Sequence, residues 1–104
     1  MRNMILLNTT YVVNTDQESQ FLEFLRNEIV ADLRNDGFFS DLKLRLVYTD
    51  EDSTVNYCLQ AQCDDMDRLE NWMMMNSKTM ALKLRQRFGT SVLSFATVLE
   101  DIEI

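Results

Sequence analysis

The sequence has 104 residues, of which 46 % are hydrophobic and 26 % charged, a balance typical of a folded domain and unlike that of a disordered chain. Its net charge of -7 at pH 7 would repel a phosphate backbone, so nucleic acid is not an expected partner. Its length and charge predict one acidic domain over residues 1–104. Because it contains no histidine, the commonest general base and metal ligand, we expect it to bind no metal and no cofactor.

The first two predicted elements are a strand and a helix. Met4 to Val13 is aliphatic, aromatic or β-branched at both alternations, which is typical of a strand that is covered on both faces. Thr15 to Glu18 matches a capping box and predicts the start of a helix, which should end near Gly37. Its apolar stripe consists of Phe21, Leu22, Leu25, Ile29 and Leu33.

Two segments follow in which apolar and polar residues alternate, and the polar turn 50–53 separates them. This pattern predicts a β-hairpin. The face predicted to be buried in the first strand carries Leu42, Leu44, Leu46 and Tyr48. The corresponding face of the second strand carries Val55, Tyr57, Leu59, Ala61 and Cys63.

A second helix and a fourth strand complete the chain. Asp64 and Asp65 offer an N-cap, and the apolar positions then repeat at helical spacing until Gly89. An unbroken helix would place Asn76 and Ser77 on its apolar face, so we expect a kink or a new cap there. Residues 92–99 are apolar and β-branched at both alternations and predict the last strand, before the acidic tail.

This order predicts an α+β, ferredoxin-like βαββαβ two-layer sandwich, with a four-stranded antiparallel sheet and two helices on one face. Cys58 and Cys63 lie five residues apart on one strand, so they should face opposite ways about 16 Å apart and cannot form a disulfide. Reduced thiols are typical of a cytoplasmic protein. The apolar start, residues 4–7, is too short for a signal peptide, and no run approaches the length of a membrane span.

The sheet face that the helices leave open is the predicted interface. If the more apolar alternation of each strand faces the core, the open face carries Asn8, Thr10, Arg45, Asn56, Cys58, Gln60, Ser94 and Ala96. Its apolar edges would be Leu6, Val12, Val47, Val92 and Val98. Such a face is too apolar to remain in water, and two-fold homodimers are the commonest assemblies. We therefore expect a homodimer, in the manner of a dimeric α+β barrel.

The same face is the candidate ligand site. A small acidic molecule could be held by Asn8, Thr10, Arg45, Asn56, Cys58 and Gln60. Alternatively, Asn8, Asn56 and Gln60 satisfy one another across the dimer interface. Arg45 requires a partner, which could be an amide oxygen, an acidic ligand, or Asp101 or Glu103 of the facing subunit.

Short segments along nearly the whole chain carry a family resemblance. These are the first strand with Asn8, the sequence Asp36-Gly37-Phe38-Phe39, and Arg87-Phe88-Gly89 followed by residues 95–99. They resemble a bacterial family of about 100-residue ferredoxin-like proteins known as domain of unknown function 4286. That family often carries a His-x-Pro sequence in its first helix and a His-Ala-Pro sequence in its second. This chain has residues 29–31 and 76–78 there, without histidine, so the resemblance implies no catalytic residue.

Two functional hypotheses follow. The first is a non-enzymatic homodimeric domain with a small-molecule groove at the open face. The second is a cofactor-independent enzyme of the dimeric α+β barrel type, resembling a monooxygenase or an isomerase, whose reactive group would be Tyr11, Tyr48, Tyr57 or Cys58. The missing histidine favours the first. A protein-docking surface at Met75 and Leu82 is a third alternative, which rests on those two residues alone.

Overall fold

The strands and helices follow the predicted order. The structure, a computed structural model, describes residues 3–104, so Met1 and Arg2 lie outside the described residues. The strands are β1 (Ile5–Asn14), β2 (Ser40–Val47), β3 (Thr54–Cys63) and β4 (Val92–Glu100). The first helix comprises α1 (Glu18–Phe24), a π-helical segment (Leu25–Ile29) and α2 (Val30–Asp36), and the second helix is α3 (Met66–Phe88).

The four strands form one antiparallel sheet in the order β2-β3-β1-β4. Strand β1 lies in the centre, where Tyr11 pairs with Tyr57 of β3 and with Ser94 of β4. Both helices pack on one face of this sheet, because the buried side chains of β1 and β3 and those of the helices belong to one core cluster. The predicted ferredoxin-like fold is therefore confirmed.

The core is organised around the Phe21 ring of α1, which is fully buried. The Phe21 ring centroid lies 5.0 Å from that of Tyr11 and 6.1 Å from that of Phe88. Tilted and edge-to-face rings at these distances are favourable arrangements. The Phe21 side chain thus joins the sheet to the C-terminal end of α3.

The π-helical segment explains how the first helix keeps its apolar stripe on the sheet. Phe21, Leu25, Ile29 and Leu33 recur every four residues, and all of them are buried. In a regular α-helix a strict four-residue repeat drifts by about 40° at each step. A π-helical turn winds more slowly and takes up this drift, so the stripe stays against the core.

Two predicted helix caps are wrong. Thr15 does not cap α1; its hydroxyl instead donates to the Asp52 carbonyl oxygen at 3.0 Å, and its amide donates to the Ser53 carbonyl oxygen at 2.9 Å. Helix α3 is not capped anew at Asn76, because the Asn76 side chain donates to the Trp72 carbonyl oxygen within the helix, at 2.9 Å. A local hydrogen bond of this kind satisfies a polar group without ending the helix. A kink there, the other alternative, stays a prediction.

The buried face predicted for β2 is only partly correct. Leu42 and Leu44 pack against the core, whereas Leu46 is half-exposed and Tyr48 lies beyond the end of the strand and is 93 % exposed. Because β2 lies at the edge of the sheet, the helices do not cover the last residues of this strand. The predictions for β3 and for the Asp65 N-cap of α3 agree with the structure.

Gly37 ends α2 with a φ of 71°, the left-handed conformation predicted at this position. A Cβ atom added there would meet nothing within 4 Å, so a substitution would be penalised by backbone conformation alone. We expect Gly37→Ala to lower the free energy of unfolding by about 1 kcal/mol in urea titrations. Asn35→Ala, in the last turn of the same helix, is the control, and an equal loss in both variants would contradict this explanation.

Candidate functional site

The pairing register determines which side chains share the open face. The Thr10 row contains Arg45, Cys58 and Phe95, and the Asn8 row contains Lys43, Gln60 and Thr97. All six predicted ligand residues, Asn8, Thr10, Arg45, Asn56, Cys58 and Gln60, lie on this face.

The prediction assigned the two faces of β4 the wrong way round. Ser94 pairs with the buried Tyr11 and Ala96 pairs with Thr9, so both face the helices, as do Val92 and Val98. The open face instead receives Leu93, Phe95, Thr97 and Leu99. The error arose because β4 is apolar at both alternations, so hydropathy could not distinguish its two faces.

Five of the predicted residues form a continuous hydrogen-bonded network. The Arg45 guanidinium donates to the Gln60 side-chain oxygen, and the Gln60 amide donates to Asn8 Oδ1 at 3.1 Å. Asn8 Nδ2 donates in turn to Thr10 Oγ1 at 3.4 Å, and Thr10 Oγ1 lies 3.6 Å from the Cys58 sulfur. Arg45 thus has an amide oxygen of its own chain as a partner, which was one of the three alternatives.

Asn56 stands apart from this network. Its Oδ1 atom is buried and accepts no hydrogen bond from any described residue. Its neighbours across the sheet are Val12 and Val47, which offer no side-chain donor. Cys58 and Cys63 are free thiols on opposite faces, Cys58 within the network and Cys63 in the core, as predicted.

Beside the network lies an apolar strip formed by the open-face residues of β4 and by those near the two ends of β1. Leu93 and Phe95 are each 58 % exposed, and Leu99 is also exposed. Leu6 and Val12 of β1, which pair with Leu99 and Leu93, continue the strip and are half-buried. The open face therefore has a polar centre, formed by β2, β3 and the middle of β1, and an apolar strip along β4 and the two ends of β1.

A cavity of about 200 Å³ lies on the other side of the sheet, between α3 and the strands β1 and β4. Its lining includes Tyr11, Trp72, Met73, Met80 and Leu84. This cavity was not predicted from the sequence. The small side chains that leave the space are Thr9, Ser77, Ala81, Ser94 and Ala96, and a correct assignment of the β4 faces would have indicated it.

The tyrosines proposed as reactive groups are poorly suited to act as bases. Burial raises the pKa of the Tyr57 hydroxyl to about 12, and the hydrogen bond that it donates to the Glu18 carboxylate adds to this effect. Burial also raises the pKa of Tyr11. Both hydroxyls therefore stay protonated at neutral pH, where they can donate hydrogen bonds but supply no phenolate. Tyr48 is exposed to solvent and does not line the cavity.

The raised pKa of Tyr57 predicts a loss of stability at alkaline pH. The folded chain holds this proton more tightly than the unfolded chain, whose tyrosine pKa is about 10, so the stabilisation is complete below that pH. It should be lost progressively between about pH 10 and pH 12. Urea titrations should show a shallower loss in Tyr57→Phe and an unchanged loss in Tyr48→Phe; equal slopes in Tyr57→Phe and the parent would refute the assignment.

Within residues 3–104, no three cysteine, aspartate or glutamate side chains are grouped so that they could hold a metal ion. No helix in the same range combines the length and the apolar character needed to cross a bilayer.

Solved structures similar to this chain share its fold. A dimeric ferredoxin-like protein from an uncultured marine organism has a TM-score of 0.69 and 7 % identity, with 98 % of each chain covered. An ethyl tert-butyl ether D (EthD) family protein from Bacillus halodurans has a TM-score of 0.67 and 20 % identity, over 95 % of this chain and 99 % of the other. A Bacillus cereus protein named as an antibiotic biosynthesis monooxygenase has a TM-score of 0.64 and 12 % identity, over 98 % and 96 %.

At these identities the similarity concerns the fold alone. No functionally curated protein matches the sequence significantly. Residues 4–102, nearly the whole chain, match the family described as domain of unknown function (DUF4286). The resemblance inferred from the sequence is therefore confirmed, and the chain belongs to this family.

Proposed function

We propose that this chain is a non-enzymatic, homodimeric binding domain whose two copies pack through their open sheet faces. The observation that carries the proposal is the apolar strip of Leu93, Phe95 and Leu99 on an edge strand, where no described residue covers it. A contiguous apolar surface of this kind is typical of an interaction site.

A second copy of the chain is the partner that the geometry favours. A two-fold arrangement can place the apolar strips of both copies against each other, so that each covers the other. One of the solved structures with this fold is described as dimeric, which supports the same assembly here. Burial of an exposed leucine or phenylalanine side chain contributes about 1.5 to 3 kcal/mol, so a few such residues can support a stable dimer.

The polar network restricts how the two copies can be oriented at this interface. Gln60, Asn8 and Thr10 satisfy one another within a single copy, so they can be covered at a moderate cost. Misaligned copies would instead place the apolar strip against these polar groups. The network therefore favours one arrangement of the two sheets.

A small acidic molecule at Arg45 is the second candidate occupant of the open face. The guanidinium is bound to the neutral amide of Gln60 and forms no ion pair with any described residue. Its neighbour in the next row, Lys43, is instead paired with Asp41 at 3.4 Å. Arg45 thus keeps a positive charge that a carboxylate could neutralise.

Catalysis is the less favoured alternative, because the candidate groups fit it poorly. The raised pKa values of Tyr11 and Tyr57 work against a phenolate nucleophile or base at neutral pH. Cys58 lies in the network beside Thr10, and no hydrogen bond of the network joins its sulfur to a basic side chain, because Arg45, its neighbour across the strands, donates to Gln60 instead. A thiol generally needs such a neighbour to become reactive.

Dimerisation predicts that the parent protein elutes with twice its chain mass of 12.2 kDa in size exclusion with light scattering. Leu93→Arg should convert it to a monomer, because the interface would then bury a charge without a partner. Leu82→Arg is the matched control, since Leu82 is 57 % exposed on α3, almost the same fraction as Leu93, but lies on another surface. A monomeric parent, or equal behaviour of the two variants, would contradict the proposed interface.

Arg45→Met distinguishes the two roles of Arg45, and Lys43→Met on the same strand is its control. If Arg45 serves the interface, for example through Asp101 or Glu103 of the facing copy, Arg45→Met should weaken the dimer about tenfold or more in dilution experiments. If Arg45 binds an acid, Arg45→Met should still dimerise, and succinate or citrate should raise the melting temperature of the parent alone. A tight Arg45→Met dimer and a parent unaffected by acids would exclude both roles.

A further inference from the structure

The cavity between α3 and the sheet contains a hydroxyl group with an unmet hydrogen-bonding capacity. Tyr11 lines this cavity and is only 5 % exposed. Its hydroxyl makes no hydrogen bond with any other described residue, in contrast to that of Tyr57, which donates to Glu18. The hydroxyl oxygen is not among the fully buried atoms that lack a partner, so it stays accessible from the cavity and free to donate to a ligand there.

The rest of the lining determines which ligands the cavity suits. Thr9, Ser77 and Ser94 add further hydroxyls, and the remaining side chains are apolar. No charged side chain is among the described residues that line it. A carboxylate or an ammonium group would therefore lose its hydration there without gaining a counter-charge, which excludes ionic ligands.

The size of the cavity limits the ligand further. Its volume is about 200 Å³, somewhat larger than an engineered apolar cavity of about 150 Å³ that binds benzene. A single substituted ring fits this volume, whereas a fused cofactor does not. Met73 and Met80, two flexible side chains in the lining, can adapt to rings of different outline.

We infer that this cavity binds a small uncharged molecule of the size of a substituted benzene ring, whose oxygen accepts a hydrogen bond from the Tyr11 hydroxyl. Because the pKa of Tyr11 is raised by burial, its hydroxyl is a permanent donor at neutral pH. The site lies on the side of the sheet opposite the Arg45 network and is separate from the acidic-ligand site considered above.

Acetophenone is a suitable probe, since it has one aromatic ring and one carbonyl acceptor. In the full chain labelled with ¹³C at methionine methyl groups, titration to millimolar concentration should shift the Met73 and Met80 signals until saturation. The Met74 signal should not move, because Met74 is 82 % exposed and is not part of the cavity lining. Benzoate, which has a similar size and a charge, should leave the Met73 and Met80 signals unchanged.

Tyr11→Phe tests the hydrogen bond. It should weaken acetophenone binding threefold to tenfold and leave the binding of ethylbenzene, which has no oxygen, unchanged. Its melting temperature should be close to that of the parent, because the variant loses no hydrogen bond within the chain. The inference is wrong if acetophenone leaves Met73 and Met80 unshifted or moves Met74 equally, and also if Tyr11→Phe binds acetophenone as tightly as the parent.

Discussion

The hydrogen-bonded register of β1 with its two neighbours determines both surfaces of this protein. Tyr11 pairs with Tyr57 on one side and Ser94 on the other, and every other row of side chains follows from that alignment. Because neighbouring residues of a strand point to opposite faces, a slip of one residue would exchange the buried and open sets completely. The core around Phe21 holds the register in place, since only one alignment presents Tyr11 and Tyr57 to its ring.

Strand β4 shows how one edge strand can serve two surfaces at once. Its large side chains, such as Leu93 and Phe95, lie on the open face, and its small ones, Ser94 and Ala96, face α3. The first set forms the apolar strip and the second leaves the space of the cavity. A strand with the reverse distribution would close the cavity and present a smaller apolar strip. Both candidate sites thus depend on which alternate residues of β4 face the helices.

The limits of sequence-based prediction can be seen by comparing β3 with β4. In β3, Tyr57, Leu59 and Ala61 alternate with polar residues, so hydropathy alone predicts the buried face correctly. Strand β4 is apolar at both alternations, so only its pairing with β1 distinguishes Leu93 from Ser94. The six residues of the predicted ligand site lie on β1, β2 and β3, whose faces were assigned correctly, whereas the cavity depends on β4 and was missed.

The contact of Thr15 with the turn before β3 joins two distant parts of the chain. Its amide and hydroxyl hold the carbonyl oxygens of Ser53 and Asp52, which are the tip of the β2–β3 hairpin. Tips of exposed hairpins are usually the places where a chain accepts inserted residues most readily. Here an insertion at residues 52 and 53 would also release the segment that leads into α1. The polar turn 50–53 is therefore a poor position for an affinity tag or for new chain termini in a circular permutation.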